Sequence, residues 1–154
     1  MMWKLPPIWS DQRGNAFVEM ALVAPILATL LIGIVDISRA ASTKLQLEQA
    51  AQRAIELVQR TNYATTMNST LQSEATAAAG TGSSASVTSW LECNNDGTQL
   101  NYDTGTCSSG QVYARYVRVT VQKSFTPLFG TRFFPGASSN GTVNLTGYAF
   151  VRTQ

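Results

Sequence analysis

The strongest pattern in the sequence is an apolar run from Ala16 to Val35, which Asp36 ends. As a helix rising about 1.5 Å per residue, a run of this length spans about 30 Å, the thickness of the hydrocarbon core of a bilayer. Glu19 is the one ionisable residue within the run. A charged carboxylate costs about 2.5–3.5 kcal/mol at the bilayer centre and less near its edge, so we expect Glu19 to have a partner.

The helical pattern continues beyond the apolar run. Gly and Pro are absent from residues 36–62, and apolar residues recur at spacings of three, four and seven along residues 40–58. This pattern predicts one helix of about 45 residues, whose first half is apolar all round and whose second half is amphipathic. Pro25 is expected to kink it. The apolar stripe along residues 40–58 either packs on the C-terminal part of the chain or faces neighbouring copies.

The remainder of the chain changes from a helical to an alternating pattern. Residues 66–79 predict a short second helix ended by Gly80, and residues 80–84 predict a flexible turn. Apolar residues then alternate with polar ones in three segments, near residues 87–93, 112–124 and 143–151. We therefore predict an α+β fold in which a small antiparallel sheet packs one face on the long helix.

The connection between the last two predicted strands is unusually apolar for a loop. Its large apolar residues either cap the core or form a contact patch near the membrane or a partner. These residues are Phe125, Leu128, Phe129, Phe133 and Phe134.

The composition excludes several classes of function. The chain of 154 residues has a net charge of +2, which gives no support for a nucleic-acid-binding surface, and it contains no His. Catalytic triads that need His are therefore excluded, and so is the commonest metal ligand. No phosphate-binding Gly-rich loop follows a strand, and the carboxylates are scattered singly. We predict no enzymatic activity, no cofactor and no metal site.

The two cysteines, Cys93 and Cys107, enclose a polar segment of 13 residues that is rich in turn-forming residues. In an oxidising compartment a disulfide between them would stabilise the fold by about 3 kcal/mol in the chain-entropy model. Asp96 and Asp103 lie in this segment, but the spacing of an EF-hand and its closing Glu are missing. The pattern therefore favours a disulfide loop in an exported domain.

Three hypotheses compete for the N-terminal segment. A plain signal anchor leaves Glu19 unexplained, and a secretory signal peptide cut after Ala40 would need an unusually long apolar run. The third is a prepilin-like signal, with a short leader that ends in Gly14 and a mature chain that begins at Asn15. Cleavage would create an ammonium group at Asn15, and Glu19 at mature position five could neutralise it in the same or an adjacent copy. Because a buried charge without a partner is costly, such a pair would favour the arrangement of subunits in which both charges are paired.

The segment around these residues, RGNAFVEMALVAPILATLLIGIVDISR, resembles the N-terminal signature of TadE-like pseudopilins of tight-adherence (Tad, Flp) pilus systems. The resemblance covers about residues 13–55 and rests on Gly14, Glu19 and Pro25. It implies cleavage between Gly14 and Asn15 by a membrane-embedded prepilin peptidase, and an assembly role for Glu19 and Pro25. Met20 stands where major Flp pilins carry Tyr, which favours a minor pilin.

This resemblance also implies a pilin-like organisation. Residues 1–14 would be a cytoplasmic leader, residues 15–36 a transmembrane helix in the inner membrane, and residues 37–154 a periplasmic α+β domain. The expected partners are the prepilin peptidase, the major Flp pilin, other minor pseudopilins, the inner-membrane assembly platform and membrane lipid, with no nucleic acid. A pseudopilin of a type II secretion-like system and a signal-anchored periplasmic binding module remain as alternatives.

Overall fold

Two helices precede four strands in the parts of the chain that the computed structural model describes, residues 15–128 and 138–154. A single 3-10 turn, Thr65–Met67, links the two helices. In chain order the elements are α1 (Asn15–Arg60), α2 (Asn68–Ala79), β1 (Ser83–Cys93), β2 (Leu100–Asn101), β3 (Tyr113–Phe125) and β4 (Val143–Arg152).

Helix α1 is continuous over 46 residues and contains Pro25. The predicted long helix is therefore confirmed. The apolar stripe along residues 40–58 is buried against α2 and the sheet. Of the two alternatives for this stripe, packing on the C-terminal part of the chain is therefore the one that the structure shows. The buried residues of the stripe are Leu47, Ala50, Ala51, Ala54, Ile55 and Val58.

The sheet is antiparallel throughout, with the strand order β2-β1-β3-β4. Its central strand β3 pairs Val119 with Val87 of β1 and with Ala149 of β4. The odd-numbered residues of these strands face the helices, as the alternating pattern predicts, and Val117, Val119 and Val121 are fully buried. The α+β class and the small antiparallel sheet on the long helix are confirmed.

Three details differ from the sequence-based expectation. Ser83 and Ser84 belong to β1 and pair with Lys123 and Gln122, so the predicted turn at residues 80–84 ends earlier. Polar residues extend the strand here because β3 supplies backbone partners for them. Strand β2 was not predicted, since its two residues lie in the turn-rich segment between the cysteines. Helix α2 begins at Asn68 because the preceding three residues form the 3-10 turn.

Strand β4 approaches α1 so closely that only glycine fits at position 147. A Cβ atom placed on Gly147 would lie 2.5 Å from the backbone nitrogen of Glu48 and 2.8 Å from Cβ of Leu47. Most of these neighbouring atoms belong to helix backbone, which cannot move without shifting the whole helix. Gly147 therefore sets the distance between the sheet and α1.

We predict that Gly147→Ala lowers the free energy of unfolding by about 1–3 kcal/mol, the usual effect of overpacking a close contact. The measurement is chemical unfolding of the detergent-solubilised full-length chain, followed by circular dichroism. Thr146→Ala is the matched control, because Thr146 lies on the exposed face of the same strand and its truncation should change stability by less than about 0.5 kcal/mol. Equal stability of the Gly147→Ala variant and the wild type would contradict the close contact.

Candidate assembly helix and its junction with the C-terminal domain

The N-terminal half of α1 makes almost no contact with the rest of the chain. Within the described residues, one helix is long and apolar enough to cross a membrane, with a mean hydropathy of 2.4 over its most apolar 18 residues, and only 6% of that window is buried. Phe17 is 80% exposed and Leu31 is 64% exposed. A core helix of a soluble domain would be mostly buried, so this half of α1 fits a single-pass membrane anchor.

Glu19 lies in the first turns of this exposed half. Among the described residues it has neither a hydrogen bond nor an ion pair, and α1 places it four residues, about one helical turn, after Asn15. Gly14, the other residue of the expected cleavage site, lies outside the described residues. Pro25 lies within α1 and removes one backbone donor from the helix, while the kink expected there stays a prediction.

The second carboxylate of this segment, Asp36, has the opposite environment. Asp36 is 1% exposed, although it lies at the end of the apolar run. Its Oδ2 atom accepts a hydrogen bond of 2.8 Å from the backbone N–H of Leu128, and its Oδ1 atom lies 3.4 Å from Nη1 of Arg39. Asp36 therefore joins α1 to the segment that follows β3, 92 positions further along the chain.

Arg39 and Phe125 complete this junction. The Arg39 guanidinium carbon lies 5.4 Å from the centroid of the Phe125 ring, a cation–π distance. The sequence allows the apolar residues of this connection either to cap the core or to form a contact patch. Phe125 is buried and therefore caps the core, whereas Leu128 is largely exposed. Phe129, Phe133 and Phe134 lie outside the described residues. The end of β3 is thus held on α1 directly after the apolar half.

Residues 14–55 match the TadE-like protein family. The match confirms the resemblance, and the matched segment contains Gly14, Glu19, Pro25 and Asp36. It covers the apolar half of α1 and most of the amphipathic half. No curated protein and no solved structure matches the chain.

Beyond the TadE-like segment, Cys93 and Cys107 form a disulfide with a Cα–Cα distance of 5.7 Å. The enclosed loop contains β2 and the buried Tyr102, whose ring meets the edge of Tyr63 at a centroid distance of 5.0 Å. Burial raises the pKa of the Tyr63 hydroxyl, which donates a hydrogen bond to Asn68. The disulfide loop therefore closes the end of the domain where α1 ends and α2 begins.

The sheet face that points away from the helices carries a cluster that the sequence analysis did not single out. The Arg118 guanidinium lies 5.2 Å from the Trp90 ring centroid and within 6 Å of the rings of Tyr148 and Phe150. Trp90 also stacks on Tyr116 at 5.4 Å. Alternation along the strands places these residues opposite the buried valines, which is the signal that could have identified them. They cover the outer face with aromatic surface.

None of these clusters has the composition of a metal centre. Across residues 15–128 and 138–154, no group of three or more His, Cys, Asp or Glu side chains is arranged to hold a metal ion. The TadE-like segment instead holds two carboxylates in contrasting environments, Asp36 with partners inside the chain and Glu19 with none among the described residues.

We predict that Asp36→Ala lowers the free energy of unfolding by about 1–3 kcal/mol, because it removes a buried acceptor and leaves the N–H of Leu128 without its hydrogen bond and Arg39 without its counter-ion. Chemical unfolding of the full-length chain in detergent measures this loss.

The matched control is Glu56→Ala on the same helix. Glu56 forms an exposed ion pair of 3.9 Å with Arg60, which is worth about 0.5 kcal/mol or less. If the two variants lost equal stability, Asp36 would not be the structural carboxylate of the junction.

Proposed function

We propose that this chain is a TadE-like minor pilin, a membrane-anchored structural component for the assembly of a Tad/Flp-type adhesion pilus. The observation that carries the proposal is the exposed apolar half of α1, which holds Glu19 without a partner in the described chain. The match of residues 14–55 to the TadE-like family supports it.

The proposed arrangement follows from the two environments of α1. Residues 1–14 form a cytoplasmic leader, residues 15–36 cross the inner membrane, and residues 37–154 form the periplasmic domain. The disulfide between Cys93 and Cys107 suits an oxidising compartment such as the periplasm. In this orientation the domain is presented outside while α1 remains available to neighbouring helices.

Processing between Gly14 and Asn15 would give Glu19 its partner. The new ammonium group at Asn15 lies at the mouth of the membrane, where the hydrophobic surroundings strengthen attraction between opposite charges. A carboxylate four residues into α1 can reach an ammonium at its own N-terminus or at that of an adjacent subunit. An intersubunit pair would set the axial register between helices, because any other register leaves a charge buried and unpaired.

Several features favour a minor pilin over the major subunit. The resemblance implies that major Flp pilins are little more than the helix, whereas this chain adds a sheet and a disulfide loop to it. By the same resemblance, Met20 occupies the position at which major Flp pilins carry Tyr. The proposed partners are therefore the prepilin peptidase, the major Flp pilin, other minor pseudopilins and the assembly platform, and the chain would have a structural and not a catalytic role.

N-terminal sequencing of the full-length protein extracted from membranes tests the processing step. We expect Asn15 as the first residue when the prepilin peptidase is present and Met1 when it is absent. Ala41 as the first residue would indicate ordinary secretion, and Met1 in both cases would indicate a plain anchor. A mature N-terminus at Asn15 without co-purification of the major Flp pilin would favour a type II secretion-like pseudopilin.

We predict that Glu19→Ala leaves cleavage nearly unchanged but reduces the number of pili per cell about tenfold or more, because the ammonium of the mature chain is left buried without its counter-ion. Immunoblots of processed protein and counts by electron microscopy measure the two effects separately. Glu56→Ala is the control, since it removes an exposed acid from the same helix outside the apolar half. Normal piliation with Glu19→Ala would overturn the assembly role of Glu19.

A further inference from the structure

A groove lies between α1 and the end of β3, directly after the apolar half of the helix. Its volume is about 540 Å³. Its lining is apolar and polar in similar measure, and the polar groups include two cations and five hydroxyl groups. The lining residues are Ser38, Arg39, Ser42, Thr43, Lys123, Ser124, Phe125 and Thr126.

The position of the groove along α1 places it at the level of lipid head groups. Ile37 is the last of the exposed apolar residues of the first half, and Ser38 and Ser42 follow it on the next turn of the helix. The head-group layer extends about 5–7 Å beyond the hydrocarbon core on each side of a bilayer. A helix rise of about 1.5 Å per residue therefore spreads Ser38 to Ser42 across this layer.

The charge of the groove is positive. Lys123 has neither an ion pair nor a hydrogen bond from its side chain among the described residues, and no Asp or Glu lines the groove. Arg39 contacts Asp36 through one nitrogen at 3.4 Å, but its side chain is 49% exposed and keeps donors free. The buried Asp36 carboxylate offsets part of the charge of Arg39, so Lys123 supplies the positive charge of the groove that has no counter-ion among the described residues.

We infer that this groove binds the phosphate of an anionic phospholipid head group, an inference that rests on the proposed membrane placement of α1. A phosphodiester carries one negative charge, which matches Lys123 and Arg39, and its oxygens accept hydrogen bonds. The hydroxyl groups of Thr43 and Ser124 already donate to Arg39 and Asn144, so the donors that remain are those of Ser38, Ser42 and Thr126. A glycerol head group adds hydroxyls that can pair with the serines and threonines. A zwitterionic head group would instead bring a cation close to Arg39 and Lys123.

Such a lipid would contact both parts of the molecule at once. Ser38 and Ser42 belong to α1, whereas Lys123 and Ser124 belong to β3. Asp36 and Leu128 join the same two regions from the buried side. The bound head group would thus stabilise the contact between α1 and β3 from the membrane side. Because its site is built from both elements, the site forms only when β3 is packed on the helix.

The test uses the full-length protein in phosphatidylcholine bilayers that contain spin-labelled phosphatidylglycerol or spin-labelled phosphatidylcholine. Electron spin resonance measures the fraction of each lipid that the protein immobilises. We expect the wild type to favour phosphatidylglycerol, and Lys123→Gln to reduce this preference about fivefold, the factor typical of one basic residue at an anionic surface. Lys123→Arg, which keeps the charge, should retain the preference.

Lys44→Gln is the matched control, since it removes the same charge from an exposed residue that does not line the groove. Lys44 lies about 7.5 Å further along α1 than Arg39, close to a Debye length, so we expect less than a twofold change. Equal effects of Lys44→Gln and Lys123→Gln would show diffuse attraction and would overturn the site. No preference in the wild type would overturn it as well, even if Lys123→Gln failed to fold.

A second arm separates lipid from a free phosphate ester. Soluble glycerophosphoglycerol at millimolar concentration should leave the immobilised fraction unchanged, because it lacks the acyl chains that hold the head group at the groove. Displacement of the lipid would reassign the groove to soluble phosphate esters and overturn the inference. Recovery of the chain in the soluble fraction would refute the proposed function itself, whereas membrane recovery without lipid preference refutes only the groove.

Discussion

The buried carboxylate of Asp36 is the contact on which the arrangement of this molecule depends. The first half of helix α1 is exposed and fits a bilayer, whereas its second half packs on the domain. Asp36 lies where these meet, and its hydrogen bond to the N–H of Leu128 brings the end of β3 to that point. A buried carboxylate without partners would be strongly unfavourable, so undocking the sheet from this site is opposed by the charge itself. The domain therefore begins directly at the end of the apolar half.

A second contact fixes how the domain is oriented around α1. Gly147 lies against the helix backbone at Leu47 and Glu48, about 17 Å along the helix axis from Asp36. One contact would allow the sheet to pivot, but two contacts separated along the axis define both its height and its direction. The alanines of α1 and α2 that face the sheet keep the layers close between these points. The two contacts thus fix the orientation of the domain surface relative to α1. This surface includes the aromatic cluster around Arg118.

The elements were predictable where the pattern is local and periodic. The length of α1 and the inward valines of β3 follow from spacings of three, four and two residues, and the structure confirms both. What escaped prediction depends on distant partners. Ser83 is a strand residue because Lys123 pairs with it, and β2 exists because Trp90 offers it an edge. The role of Asp36 was invisible because its partner is a backbone N–H group, which every residue except proline carries.

Under the proposed function, the two acids of the TadE-like segment let one helix serve folding and assembly separately. Asp36 is buried and has its partners within the chain, so its charge is balanced there by Arg39 and by the N–H of Leu128. Glu19 lies about 25 Å away along the helix, in a region where the chain supplies only apolar neighbours. Stabilising that carboxylate in a membrane requires a cation from outside the described fold. The mature N-terminus that we propose would supply this cation, and in a neighbouring copy it would make the favourable state of Glu19 a property of the assembly.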